Sequence, residues 1–357
     1  MKQDLAGFVR KLVWVLITGL YAVVLGSLAF EGLTRLVGVR LPGILASGDQ
    51  GDRGLWIYDA NLGWFHAPNA RGQSYEGGPD AGTVRINGLG LRGPEVSRDV
   101  PTGVTRALVL GDSFVFGVGV DEEHLFSSEL QRRLGPGYEV VNMGVSGYST
   151  DQEYLLFESL GASFGATLVV LVMCDNDFEG NTQDFVYRAY YKPRFDLDTG
   201  GLVRRNLPVP RLSAPEEARL WLGRHSNAWK LLRRATAGLE AFDIFEVARP
   251  RAGRPDVELA FQLIAALRRR LQEAGASLAV FNTGHRGERT GLFQALRVHL
   301  RREGVTFLGL EDALARARAE RPEGRWDFGG NTHWNVDSHR VAAEVVHTFL
   351  VTRGLVR

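Results

Sequence analysis

Apolar positions fall into three regimes along the chain, and each predicts a different kind of element. From Leu12 to Phe30 the sequence is almost continuously apolar and carries no charge, with Thr18, Gly19, Gly26 and Ser27 as weak interruptions. A helix of roughly 20 such residues, rising ~1.5 Å per residue, crosses a bilayer core. Residues 55–100 lack helical periodicity and are rich in Gly, Pro and Asn. Short strand-like pieces such as Thr83-Val84-Arg85-Ile86 sit between turn signals, which predicts a small β-rich flap ahead of the main domain. From residue 105 short apolar runs alternate with amphipathic stretches. Strands are predicted over 106–110, 138–143, 167–174, 277–282 and 305–310, each a brief apolar run bounded by turn residues.

Helices are predicted between those strands. Thr150-Asp151-Gln152-Glu153 has capping-box spacing and opens a helix to about Leu160. Over 256–273, Ala260, Leu263, Ile264, Leu267 and Leu271 recur at helical spacing until Gly275 ends the pattern. Val341, Ala342, Val345, Val346, Phe349 and Leu350 repeat it in the last helix. Strands alternating with helices predict an α/β fold, a flavodoxin-like three-layer sandwich with a parallel sheet covered on both faces. About a hundred residues separate the third strand from the fourth, too many for one crossover. They predict an insertion at about 178–255, with a helix over 214–238, placed to roof a site. The resulting order is a short N-terminus (1–11), the apolar helix (12–30), a connector and β-rich extension (31–100) and the α/β domain (101–357).

Charge and composition narrow the partners. The net charge is +1 and the basic residues are dispersed, which argues against nucleic acid. Cys174 is the single cysteine, so packing rather than an intrachain disulfide must hold the fold. No Cys/His cluster has metal-ligand spacing, so neither a metal nor another cofactor is expected. Lys2, Arg10 and Lys11 precede the apolar run, which places the N-terminus in the cytoplasm and the remainder outside it. An uncleaved single-pass anchor is favoured. A cleaved signal peptide is the alternative, because Ser27-Leu28-Ala29 has a small-x-small pattern.

Four short signatures carry the chemistry. Gly111-Asp112-Ser113-Phe114 follows the first strand, Asn142-Met143-Gly144-Val145-Ser146-Gly147 spans the end of the second, Asp175-Asn176-Asp177 follows the third, and His333-Trp334-Asn335 precedes the last helix. A turn directly after an apolar strand lets the Ser113 hydroxyl project above the sheet edge with its own N–H near a developing oxyanion. His333 is the well-placed candidate base, with His285 as a fallback. Asn335 is positioned to cap the last helix. Trp334 either packs under that loop or stacks on a sugar. Asp175 and Asp177 read as turn-formers and caps, and Cys174 as a small buried hydrophobe.

This order and wording resemble the SGNH (GDSL-type) hydrolases: esterases, lipases and carbohydrate O-acyl hydrolases. The segment Asp59-Ala60-Asn61-Leu62-Gly63-Trp64, with Ile86 to Gly93 after it, is similar to the N-terminal extension of their membrane-anchored bacterial members. The resemblance implies Ser113 as nucleophile, His333 as base, and Gly147 N–H and the Asn176 side-chain amide as oxyanion donors beside Ser113 N–H. It departs in one place. The family's base is preceded two or three positions earlier by an aspartate, and those positions hold Gly330 and Asn331. Asp327 is the candidate third member and Asn331 the alternative, with a Ser–His dyad if neither serves. Together with the apolar helix, the resemblance implies an extracytoplasmic serine ester hydrolase at the bacterial inner membrane, its catalytic domain periplasmic or extracellular, acting on acyl (acetyl) esters of carbohydrate or on a small ester. An O-acyltransferase to a polysaccharide using the same site is the second reading, and the resemblance by itself also suggests a membrane-bound acyltransferase as partner. A carbohydrate-binding or assembly protein on a catalytically weak scaffold is the third.

Overall fold

The computed structural model describes residues 2–38, 54–74, 82–187, 190–235, 256–284, 290–323, 326 and 333–357. Two compact units divide the chain: 1–46 with 212–249, and 47–211 with 250–357.

In the first unit the apolar run forms one helix, α1 (Lys2–Leu36). Its segment Arg10–Leu36 is long and apolar enough to cross a membrane, and none of its most apolar stretch is buried within the chain. The connector expected from residue 31 begins inside this helix, because polar residues at its end have partners. Glu31 accepts the Ala228 N–H and the Ser226 hydroxyl, each at 3.2 Å, and Asn227 Nδ2 donates to Thr34 Oγ1 at 3.0 Å.

The second unit opens with two hairpins from the Gly- and Asn-rich extension. β1 (Trp56–Asp59) pairs with β2 (Gly63–His66), and β3 (Arg71–Ser74) pairs with β4 (Gly82–Arg85). The alternation then begins: β5 (Thr105–Gly111), α2 (Ser113–Phe116), α3 (Phe126–Leu134), β6 (Tyr138–Gly144), α4 (Thr150–Ser159), β7 (Leu168–Met173) and α5 (Asp177–Gly180). The insertion adds two small hairpins, β8 (Phe185–Val186) with β9 (Tyr190–Tyr191) and β10 (Arg194–Asp198) with β11 (Gly201–Arg205). Its helical part, α6 (Ala214–His225) and α7 (Asn227–Ala235), belongs to the first unit. The single helix expected over 214–238 is thus two helices. Ser226 takes an extended backbone and its hydroxyl accepts the Trp229 N–H, so one helix stops and the next is capped at the same residue. The chain returns to the second unit with α8 (Val257–Glu273), β12 (Ser277–Asn282), α9 (Thr290–Arg302), β13 (Thr306–Leu308), α10 (Glu311–Glu320) and α11 (Val336–Thr352).

The five strands β13-β12-β7-β5-β6 form one parallel sheet in that order. Alternate residues of each strand feed opposite faces. Leu108, Leu110, Val169, Leu171 and Val280 join one core with Leu156 of α4, Leu263 of α8 and Leu296 of α9. Ala107, Val109, Val170, Val172 and Phe281 join the other with Leu130 of α3, Leu314 of α10 and Val346 of α11. These are the three layers, and the apolar runs read as continuous because both faces are covered.

The capping box expected at Thr150 is not made. Ser149 is the N-cap, the Thr150 hydroxyl donates to Asp177 Oδ2 at 3.2 Å, and Asn181 Oδ1 accepts the Asp151 N–H at 3.0 Å. Tertiary partners from the third-strand loop have replaced the local motif.

Candidate active site

After β5 the chain runs to β6 on one side and later to β7 on the other, so β5 marks a switch of direction in the sheet. The crevice beyond the strand ends at such a point is where α/β sheets bind ligands. Strand register brings three of the four signatures to it: Gly111 of β5 lies opposite Gly144 of β6 and Val172 of β7. Ser113, Gly147 and Asn176 follow those residues by a few positions each.

Ser113 opens α2 and is 8 % exposed. Asp112 caps it, its carboxylate accepting the Phe114 N–H at 2.9 Å, and the Ser113 hydroxyl lies 3.4 Å from the other carboxylate oxygen. Burial pushes the Asp112 carboxyl up to about 7, opposed by these hydrogen bonds and reinforced by the charge of Asp175. Gly117 ends the turn in the left-handed region with φ of 87°. A short helix begun by a carboxylate cap and closed by glycine fixes the Ser113 backbone.

His333 reaches Ser113 from the other end of the chain: its Nε2 is 2.7 Å from Ser113 Oγ. Three contacts set the ring in place. Trp334 is buried, donates Nε1–H to Thr283 O at 3.0 Å and meets Phe114 edge-on, so it packs under the loop instead of facing a sugar. Asn335 caps α11 by accepting the Ser338 N–H at 3.1 Å. The Phe114 ring lies 5.0 Å from the imidazole. One turn into α11, buried His339 accepts the Phe126 N–H through Nδ1 at 2.9 Å, and desolvation depresses it to about 3, so it stays neutral. Asp327, Asn331 and the fallback His285 lie outside the described residues.

Gly147 has φ of 82°, where a side chain is strained. A Cβ there would also lie 2.9 Å from Tyr187 Cε2 and 3.4 Å from Trp64 Cζ2. Both reasons for glycine hold together: the turn needs positive φ and the space is taken. Asn176 precedes α5 with its side-chain Oδ1 buried and without a partner among the described residues. The residue itself is half-buried. Cys174 is buried and its thiol is pushed well above its ordinary value, first by desolvation and then by neighbouring carboxylates, so it is inert as a nucleophile.

Sequence reading missed two parts of the surroundings. The first is how the extension is bonded to the motifs that follow it. Trp64 Nε1 donates to Ser146 O at 3.1 Å, the Tyr148 hydroxyl donates to Trp64 O at 2.5 Å and Gln152 Nε2 donates to Leu62 O at 2.7 Å. Arg92, 2 % exposed, gives its guanidinium to the carbonyls of Phe116, Gly117, Thr83 and Val120. The second is a buried polar layer around Asp177, next to Asn176 in sequence. Asp177, read from sequence as a turn-former, is fully buried, and desolvation with the charge of Asp112 pushes its carboxyl well up. Fully buried Glu153 is raised in the same way, and its carboxyl oxygens have no hydrogen-bond partner among the described residues. Lys192 donates to Asp151 Oδ2 at 2.5 Å with both side chains 0 % exposed. Four acids and a lysine scattered between residues 112 and 192 carry no joint signal in a linear sequence.

Comparison with known proteins leaves the internal geometry as the main guide. No family model matches the chain, and no curated protein does. Solved structures with a similar fold include lipolytic proteins of the G-D-S-L family and an acetyl xylan esterase. One from Desulfitobacterium hafniense is 12 % identical with TM-score 0.39, covering 68 % of this chain and 98 % of its own. One from Veillonella parvula is 12 % identical with TM-score 0.40, covering 70 % and 99 %. The acetyl xylan esterase AlAXEase is 14 % identical with TM-score 0.38, covering 69 % and 99 %. At these scores the likeness concerns the fold.

Proposed function

We propose that the protein is a serine ester hydrolase whose nucleophile is Ser113 and whose base is His333. The observation that carries this reading is the 2.7 Å approach of His333 Nε2 to Ser113 Oγ, made across 220 residues at the strand ends where ligands bind. Ser113 Oγ attacks the ester carbonyl carbon while His333 Nε2 takes the hydroxyl proton. The N–H of Ser113, the N–H of Gly147 and Asn176 Nδ2 receive the oxyanion, each such donor being worth about 10²–10³ in turnover. Collapse breaks the bond to the alcohol oxygen, which leaves with the proton from His333. Water then attacks the acyl-serine, His333 again taking and returning a proton, and releases the carboxylic acid. For Nε2 to accept, the neutral ring must carry its proton on Nδ1. We assign its orientation to Asp327, or to Asn331 in its place.

The resemblance to SGNH hydrolases, whose exported members act on O-acylated carbohydrate, supports acyl esters of carbohydrate as the substrate class, with acetyl the leading group. We also read α1 as a membrane anchor that leaves the catalytic unit outside the cytoplasm, because its apolar stretch is unburied and follows Lys2, Arg10 and Lys11. Two experiments test the proposal. An organophosphonate probe should label Ser113 in the wild type and fail in Ser113→Ala, which should also lose short-chain aryl ester hydrolysis with its thermal melt unchanged; equal turnover in the variant removes the nucleophile. The full chain should resist carbonate extraction from membranes, and extraction would remove the anchor.

A further inference from the structure

Tyr187 lies in the insertion, in the turn between β8 and β9, and two independent observations make it unusual. Its φ is 54°, a left-handed conformation that bulky residues avoid and that persists where surrounding structure imposes it. Its ring is pressed against the glycine of the proposed oxyanion site: a Cβ on Gly147 would fall 2.9 Å from Tyr187 Cε2 and 3.5 Å from Cζ, so the phenolic edge covers this position. The ring is held there by packing against the core that includes Trp64, Tyr148 and Val186. Trp64 closes the same space from the extension, 3.4 Å from that Cβ, and stands edge-on to Tyr148 with ring centres 5.4 Å apart.

The reaction geometry says which part of a substrate meets this wall. The leaving alcohol oxygen must face His333, which protonates it. The carbonyl oxygen must face Gly147 and Asn176. The acyl substituent takes the remaining direction from the tetrahedral carbon, and Tyr187 and Trp64, the side chains that stand against Gly147, are the candidates to meet it.

We propose that Tyr187 is a specificity residue that closes the acyl side of the site and restricts the enzyme to short acyl groups. This rests on the ester hydrolase reading above and deepens it. An acetyl methyl fits beside Gly147 without displacing the ring, whereas a chain of several methylenes must push Tyr187 off the glycine. Each methylene gained or lost in a hydrophobic pocket changes kcat/KM by about 10–200-fold, so the effect of the wall is large enough to read.

The test is kcat/KM on 4-nitrophenyl acetate, butyrate and hexanoate with the full-length protein. The wild type should prefer acetate to hexanoate at least tenfold. Tyr187→Ala should shift that ratio at least tenfold toward hexanoate, and Tyr187→Phe, which retains the ring, should keep the wild-type ratio. Tyr187→Leu serves as a second truncation should the alanine variant melt early. A merely structural role would lower both esters together and leave the ratio alone. Wild-type preference for hexanoate, or a ratio unmoved by truncation, overturns the Tyr187 assignment while leaving the hydrolase reading intact. No turnover on any ester and no labelling of Ser113 overturns that reading, and this one with it.

Discussion

Lys192→Met should be among the most destabilising single changes outside the apolar core. Lys192 Nζ sits 2.5 Å from Asp151 Oδ2 and also donates to Gly180 O at 2.9 Å and Gln183 O at 3.4 Å. At that separation the attraction is about 7 kcal/mol with an effective dielectric of about 20, but desolvation of two fully buried charges offsets most of it. Burial pushes Asp151 up and Lys192 down, each opposed by the charge of the other. Methionine removes the compensating charge and strands two carbonyls. The remaining carboxylate is then buried near Glu153 and Asp177, so the expected cost is about 3–5 kcal/mol, or roughly 10 °C in melting temperature. Asp151 can relieve this only by taking up a proton, so the cost should shrink as pH falls from about 8 to about 5. Urea unfolding at both pH values measures it. A double variant, Asp151→Asn with Lys192→Met, should cost less than the two single changes summed, by about 1–3 kcal/mol. A single-variant cost below about 1 kcal/mol, or strict additivity, would refute the ion pair as described.

Asp112→Asn should flatten the pH dependence of stability. The folded carboxyl lies at about 7 against an ordinary 3.8, so its protonated form favours folding and that contribution is lost as pH rises between those values, at up to about 1.4 kcal/mol per pH unit. Melts at about pH 5 and pH 8 should therefore differ less in the variant than in the wild type; equal differences would contradict the raised value, although Glu153 and Asp177 leave some slope in both. Asp327→Asn should lower ester turnover by several orders of magnitude and Asn331→Ala little if Asp327 orients the imidazole. Turnover unchanged in the double variant would leave a Ser–His dyad.

Most of the sheet was legible because its strands are buried on both faces, which turns a tertiary fact into a contiguous apolar word such as Leu168-Val169-Val170-Leu171-Val172-Met173. Ser113, Gly147, Asn176 and His333 stand in short contiguous motifs at strand ends or ahead of a helix, and the roles assigned to them rest on the resemblance those motifs carry. What escaped was set by contacts distant in sequence. Thr150 and Glu153 have the spacing of a capping box, yet Asp177 and Asn181 from the loop after the third strand take over the helix end. The insertion's hairpins are too short for any periodicity, and Tyr187 adopts a backbone that its side chain disfavours. No residue type announces such a position in advance.

The buried acids behind the site look costly until their protonation is considered. A layer of Asp112, Glu153 and Asp177 as carboxylates would put three negative charges behind Gly147 and Asn176, where the reaction itself develops a fourth. Such a field would raise the barrier. Their values are all displaced upward, by desolvation first and by one another second, which holds them in the neutral, proton-donating form at lower pH. Asp151 alone has a cation, and its charge is spent on Lys192. Where protonated, the layer packs as polar but uncharged material, able to take hydrogen bonds from Thr150 and Phe114 without opposing an oxyanion. On this account, alkaline pH should act on the enzyme twice, by destabilising the fold and by placing negative charge beside the transition state. A decline of kcat above about pH 7 in the wild type that moves to higher pH in Asp112→Asn would separate the second effect from simple unfolding. The same decline in both would place its cause elsewhere.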